Sequence, residues 1–169
     1  KETCLKKVNQ AIEEASEQLK ESKFLFITFG TAWAYEHKET REIVSNCHKI
    51  PASRFNRFLV KLEDMLDLYR NLLEQLFTRL PYARVIFTIS PVRHWKDGPE
   101  KNQLSKSMLF VLIHTLIEEF SGCSYFPSYE IMMDDLRDYR FYKKDMLHPS
   151  DVAVDYIWDL FGKTYFEED

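Results

Sequence analysis

Two short apolar runs constrain the fold more than any other feature of the sequence. The first is FLFITFG (Phe24–Gly30), and the second is ARVIFTIS (Ala83–Ser90). Both are continuous rather than alternating, and both are rich in β-branched and aromatic residues. Runs of this kind are typical of strands that are buried on both faces of a parallel sheet. A shorter run, SYFPS (Ser124–Ser128), predicts a third strand, in which Pro127 marks an edge or an end.

Helical patterns alternate with these strands. Apolar residues at helical spacing predict helices over Leu5–Leu19, Arg54–Leu80, Leu104–Phe120, Glu130–Arg137 and Pro149–Tyr165. The polar stretches Thr31–Pro51 and Pro91–Gln103 predict loops, and the first has room for a small hairpin. Alternating helices and buried strands indicate an α/β fold with a parallel sheet. A chain of 169 residues fits a single domain over residues 1–169.

Composition narrows the classes of partner. The net charge is −4, from 23 basic and 27 acidic residues, which gives no electrostatic basis for binding nucleic acid. No apolar run reaches the roughly 18 residues of a membrane span. The cysteines, Cys4, Cys47 and Cys123, match neither a disulfide framework nor a zinc site, and free thiols favour a cytoplasmic location. Only four glycines are present, which argues against a phosphate cradle, and we expect no cofactor. No three or four candidate ligands have the spacing of a metal site, so we expect no metal. The oligomeric state stays open.

The clearest candidate for chemistry is the stretch DMLHPS, in which Asp145 and His148 are three residues apart. Pro149 suits the first position of a helix, which would place His148 at the helix N-terminus. Asp145 can then accept a hydrogen bond from one imidazole nitrogen and leave the other nitrogen as a base. The alternative is that Asp145 only caps the helix and His148 is an ordinary surface residue.

Weaker candidates follow the first two strands. Gly30 allows close backbone approach, and Thr31 follows it, although a plain strand end is the simpler interpretation. Asn46 is a candidate donor to an oxyanion. A cysteine nucleophile at Cys47 beside His48 is disfavoured, because adjacent residues rarely direct their side chains at each other.

The stretch SPVRHWKDG begins where the second strand ends. Arg93 could hold an anionic group, and Ser90, Arg93 and His94 are predicted to line a substrate site. Ser90 does not lie on the strand-to-helix elbow that exposes a nucleophile. The alternative is a structured loop packed by Trp95.

Several stretches, taken together, resemble the bacterial GSCFA family from about Phe24 onward. They are FGTAWAY, NCHKIP, SPVRHWKDG, NQLSK, YFPSYEIMMDDLRDYRFY and DMLHPS, in this order. GSCFA proteins are similar to the SGNH, or GDSL-like, hydrolases. The resemblance therefore implies a three-layer α/β/α flavodoxin-like fold with a five-stranded parallel sheet.

The resemblance also implies roles for individual residues. DMLHPS matches the D-x-x-H block of SGNH hydrolases, so Asp145 and His148 would be the triad acid and base. FITFGTAW lies where those hydrolases have G-x-N-D, so Gly30 and Thr31 would lie at the rim of the oxyanion hole. Ala32 and the tryptophan after it replace the Asn and Asp of that pattern, which leaves Asn46 as the substitute donor.

The nucleophilic serine of the family belongs to a Gly-Ser-Cys-Phe-Ala stretch that would lie upstream of the first helix and is absent from this sequence. The chain resembles the C-terminal two-thirds of the family's domain without its first strands, so we expect an unpaired, apolar sheet edge. The implied activity is that of a serine esterase or acyl-transfer domain acting on a carbonyl ester, such as an acetylated glycan. The alternative is a non-catalytic binding or structural domain on the same scaffold.

Overall fold

The computed structural model describes residues 2–47 and 49–166. Its strands are β1 (Phe24–Phe29), β2 (Trp33–His37), β3 (Ile43–Val44), β4 (Phe55–Leu59), β5 (Arg84–Ile89) and β6 (Cys123–Phe126). Its helices are α1 (Glu2–Glu21), α2 (Leu62–Arg79), α3 (Gly98–Glu119), α4 (Ser128–Glu130, followed by a π-helical turn over Ile131–Asp135) and α5 (Asp151–Tyr165). Short 3-10 turns lie at Ala52–Arg54, Trp95–Asp97 and Tyr139–Phe141. The predicted α/β fold class is confirmed.

The three predicted strands form one parallel sheet in the order β1-β5-β6. Their ends lie within a few residues of the predicted ends. β5 is the central strand, and its apolar side chains are almost completely buried on both faces. This burial explains why the run reads as continuously apolar rather than alternating.

Helices pack on both faces of this sheet. Val85, Phe87 and Ile89 of β5 belong to a core formed with α2 and α3. Ile86, on the opposite face, belongs to a second core formed with the π-helical turn and α5. The five-stranded, flavodoxin-like order remains a prediction, because the parallel sheet described here has three strands.

One edge of the parallel sheet is apolar. Among the described residues, β1 pairs only with β5, and its side chains Phe24 and Phe26 are 54% and 46% exposed. The apolar stripe of α1 is exposed as well, through Leu5, Val8 and Ile12. The sheet edge therefore has the unpaired, apolar character that the sequence predicts.

A second, antiparallel sheet corrects part of the sequence interpretation. Its order is β3-β2-β4, so the hairpin considered for Thr31–Pro51 is present. The predicted helix over Arg54–Leu80 is wrong at its start, because Phe55–Leu59 is strand β4 and α2 begins only at Leu62. The apolar residues of β4 happen to fit a helical period, but pairing along the whole length of β2 determines their conformation.

Candidate functional site

A buried lysine joins the carboxyl ends of two parallel strands. Lys106 in α3 has no exposed surface, and its Nζ donates hydrogen bonds to the carbonyl oxygens of Gly30 at 2.7 Å and Ser90 at 2.6 Å. Gly30 follows β1 and Ser90 follows β5. Burial lowers the pKa of Lys106 to about 8. The two loops predicted to form the site are therefore held together by one side chain.

Two neighbouring side chains of α3 also bind the loops that follow β1 and β5. Ser105 Oγ lies 3.0 Å from Thr31 Oγ1 and accepts a hydrogen bond from the backbone N–H of Ala32 at 2.7 Å. Asn102 Oδ1 accepts a hydrogen bond from the backbone N–H of His94 at 2.9 Å. A little more than one turn of helix thus positions the loops after β1 and after β5.

The sequence interpretation missed this role. It began α3 at Leu104, whereas the helix begins at Gly98, and it assigned no function to the stretch NQLSK. A signal was available, because Lys106 falls on the same helical face as Leu109 and Ile113, where a lysine is unusual.

His94 packs against Gly30. A Cβ atom at Gly30 would lie 3.4 Å from His94 Nε2, so the glycine permits a close approach of the imidazole. Burial lowers the pKa of His94, and the positive charges of Lys106 and Arg57 lower it further, while a hydrogen bond to the Gly30 backbone acts in the opposite direction. These effects together favour the neutral form of the His94 imidazole.

The side chains of Thr31 and Ser90 hydrogen-bond to the backbone of their own loops, whereas Asn46 lies in a different part of the chain. Thr31 Oγ1 also accepts a hydrogen bond from the Trp33 N–H at 3.2 Å, and Ser90 Oγ accepts one from the Val92 N–H at 3.3 Å. Asn46 is exposed and follows β3 of the antiparallel sheet. His48, considered above with Cys47, lies outside the described residues.

Asp145 and His148 form the predicted pair. His148 Nδ1 lies 2.6 Å from Asp145 Oδ2, while Asp145 Oδ1 accepts hydrogen bonds from the backbone N–H groups of Leu147 at 2.9 Å and His148 at 3.0 Å. Met146 adopts a positive φ of 61°, which closes this tight turn. The backbone N–H of His148 and then that of Leu147, with help from the imidazole, lower the pKa of Asp145 to about 2.

The prediction that His148 lies at the N-terminus of the last helix is wrong. The helix begins at Asp151, and its N-cap is Ser150, whose Oγ accepts the N–H of Ala153 at 3.4 Å. Pro149 therefore precedes the N-cap, and His148 does not lie at the helix N-terminus. Asp145 does not cap the helix either, because its oxygen atoms bind groups within its own turn.

The two parts of the site meet through the backbone. The N–H of Arg93 donates to the carbonyl oxygen of Leu147 at 3.4 Å, so the loop after β5 touches the turn that contains His148. Arg93 and Asp145 line the same cavity of about 420 Å³. Within residues 2–47 and 49–166, no serine, threonine or cysteine side chain hydrogen-bonds to His148.

No group of three His, Cys, Asp or Glu side chains suited to a metal ion occurs among the described residues. The same part of the chain contains no helix with the length and apolar character needed to cross a membrane.

The fold and the site define an α/β protein with an aspartate–histidine pair beside the carboxyl ends of its parallel strands. The model of the GSCFA family matches residues 1–161, so the chain belongs to the GSCFA family, as its sequence blocks predict. No curated protein and no solved structure matches the chain. The placement of this family among the SGNH hydrolases remains a prediction.

Proposed function

We propose that this chain carries the acid and base of a serine esterase or acyl-transfer site that acts on a carbonyl ester, an acetylated glycan being one candidate. The observation that supports this proposal is the 2.6 Å contact between His148 Nδ1 and Asp145 Oδ2, in the block that resembles D-x-x-H. The nucleophile in this proposal is the serine that the family resemblance expects upstream of Lys1.

The geometry suits acid–base chemistry. Asp145 is ionised at neutral pH, because its pKa is about 2, and it can accept a hydrogen bond from Nδ1 of His148. This contact leaves Nε2 of His148 as the base. In the proposed reaction, His148 takes the proton of the serine hydroxyl as its oxygen attacks the ester carbonyl, and then gives that proton to the departing alcohol. Water or an acceptor alcohol then attacks the acyl-enzyme in the same way.

The loops held by α3 supply the remaining parts of the proposed site. Gly30 and Thr31 lie at the rim where the oxyanion would form, with their positions maintained by Lys106 and Ser105. Asn46 is a further candidate donor. Ser90, Arg93 and His94 form the substrate side of the site, and the neutral His94 can donate or accept a hydrogen bond without adding charge.

The proposal is tested by hydrolysis of a short acyl ester by the full-length protein. We expect His148→Ala to lower kcat by several powers of ten, and Asp145→Asn by about 10⁴-fold, because Asn can stabilise the wrong tautomer. His114→Ala and Asp151→Asn are matched controls, since both residues are exposed and lie outside the site. Thermal unfolding of each variant separates a loss of activity from a loss of fold. Equal rates for wild type and both site variants would refute the proposal.

A specific observation favours a second candidate, a non-catalytic binding or structural domain. Ala32 and Trp33 stand where the resembled pattern has Asn and Asp, and no described hydroxyl or thiol hydrogen-bonds to His148. A serine-directed fluorophosphonate probe separates the two candidates. Labelling of the full-length protein that is lost in His148→Ala supports the esterase, whereas absence of both labelling and hydrolysis supports the binding domain.

A further inference from the structure

Arg93 occupies an unusual electrostatic position beside the proposed site. Its side chain is half-buried and lies between two cavities, the cavity of about 420 Å³ shared with Asp145 and a second one of about 280 Å³. Its contacts are weak ones, since Nη2 lies 3.9 Å from Met133 Sδ and the guanidinium lies 5.9 Å from the ring centre of Tyr142. A thioether and an aromatic face compensate a cation much less than a carboxylate does.

No carboxylate of the described side chains lies within 4.0 Å of the Arg93 guanidinium. More exposed arginines of the same chain do have such partners, as in Arg137 with Asp134 and Arg140 with Asp138. Burying part of a charge without an opposite charge is unfavourable. The structure therefore leaves a cation inside a cavity with the capacity to bind an anion.

Asp145 does not fill this role, although it lines the same cavity. Both of its carboxylate oxygens are already used by the backbone of Leu147 and by the backbone and imidazole of His148. The Arg93 guanidinium and the Asp145 carboxylate thus line the same cavity without forming an ion pair within 4.0 Å. A volume of about 420 Å³ falls within the range of small-molecule sites.

The remaining walls suit a flat, partly polar ligand. Trp95 and Tyr139 are 56% and 79% exposed at this cavity, and Tyr142 completes an aromatic lining. Aromatic rings with a polar edge are frequent at binding sites because they combine apolar contact with hydrogen bonding. The backbone contact between Arg93 and Leu147 places this lining next to the acid–base pair.

We propose that this cavity binds an oxyanionic group of the substrate, a carboxylate or a phosphate, through the guanidinium of Arg93, with Trp95, Tyr139 and Tyr142 as its walls. The inference rests on the proposed function, because it assigns the ester substrate to an anionic class, such as a uronic-acid or phosphate-bearing glycan. Arginine suits this role because its planar donors can bind two oxygens of an oxyanion at once.

The test measures binding rather than turnover, using NMR titration of the ¹⁵N-labelled full-length protein at low ionic strength. The probes are D-glucuronate, glucose 6-phosphate and uncharged D-glucose, which share a ring and differ in charge. We expect an anionic probe to bind about tenfold more tightly than glucose, with shifts at Trp95 and Arg93 and a preference that weakens with added salt. Preference for glucuronate identifies a carboxylate site, and preference for glucose 6-phosphate identifies a phosphate site.

Substitutions of Arg93 test whether its guanidinium causes the preference for an anionic probe. Arg93→Gln should abolish the preference for the anion, whereas Arg93→Lys should keep part of it. Arg140→Gln, a matched change at an exposed, ion-paired arginine, should leave the preference intact. If Arg93→Gln is less stable than wild type in thermal unfolding, the lysine variant provides the comparison.

Equal affinity for glucose and both anions, or a preference that survives the loss of Arg93, would overturn the inference. The hydrolysis assay with His148→Ala tests the proposed function separately. An active esterase without anion preference would refute only the anion site. Anion binding by a protein without esterase activity would refute the proposed function and the assignment to an ester substrate, and it would leave Arg93 as the anion-binding group of the cavity.

Discussion

The ammonium group of Lys106 donates a hydrogen bond to the carbonyl oxygen of Ser90, with 2.6 Å between Nζ and O. A second bond from the same nitrogen reaches Gly30 at 2.7 Å. These two carbonyl groups lie at the carboxyl ends of neighbouring parallel strands. The spacing of the loops around the candidate site therefore depends on a side chain that would not itself contact a substrate.

The charge of Lys106 predicts a specific pH dependence of stability. Its pKa is about 8 in the folded chain and about 10.5 in the unfolded chain, so the folded state binds fewer protons between these values. Wild type should therefore gain stability relative to Lys106→Met as the pH rises from 8 to 10.5. The gain in the free energy of unfolding should be on the order of 3 kcal/mol at most. Urea unfolding at several pH values measures this difference. The corresponding difference for Ser105→Ala should stay flat, and a flat or falling curve for Lys106→Met would contradict the prediction.

The Asp145 carboxyl should titrate far below an ordinary aspartate. NMR titration should show a pKa of about 2 in wild type, and the pKa should stay clearly below its usual value in His148→Ala. The reason is that the backbone N–H groups of residues 147 and 148, which the variant retains, lower this pKa more than the imidazole does. A complete return to the ordinary value in His148→Ala would show that the imidazole dominates.

The depressed pKa of Asp145 also predicts how stability changes at acidic pH. Because its folded pKa is depressed, its contribution to stability is present above about pH 4 and is lost as the pH falls toward 2. The stability difference between wild type and Asp145→Asn should therefore be constant above pH 4 and shrink below it. Acid titration of both proteins, followed by circular dichroism, measures this change. A difference that persists unchanged at pH 2 would exclude the carboxylate as its source.

Removing the Ser105 hydroxyl should destabilise the chain. Ser105→Ala leaves the backbone N–H of Ala32 without its partner in a buried setting, at a cost of about 1–3 kcal/mol. Ser107→Ala is the matched control, because Ser107 is exposed on the same helix and should change stability by less than about 0.5 kcal/mol. Urea unfolding of both variants tests the prediction, which fails if the two variants are equally stable.

Two adjacent leucines of α2 test how this helix packs against the core. Leu73 of α2 is 1% exposed, whereas the adjacent Leu72 is 50% exposed. Leu73→Ala should therefore cost about 2–5 kcal/mol through lost burial and a residual cavity. Leu72→Ala should cost less than about 1 kcal/mol. Thermal or urea unfolding of the two variants should rank them in this order, and the reverse order would contradict the packing described here.

Features that depend on local sequence could be predicted from the sequence alone. The strands β1 and β5 are identifiable because a continuous apolar run of this length has few other stable solutions in a compact domain. The contact between Asp145 and His148 is equally local, since the two residues share one tight turn. The sequence blocks also identified the GSCFA family.

Other features depended on partners that are distant along the chain. Phe55–Leu59 fits a helical period, and only pairing with β2 makes it a strand, because the backbone bonds of a strand must be completed by another segment. Pro149 suits the first position of a helix, but the neighbouring serine caps α5 instead. The role of Lys106 depends on carbonyl groups that lie 76 and 16 residues away in the sequence. A sequence pattern reports the preferences of a segment, whereas the tertiary structure decides which distant groups satisfy its hydrogen bonds and charges.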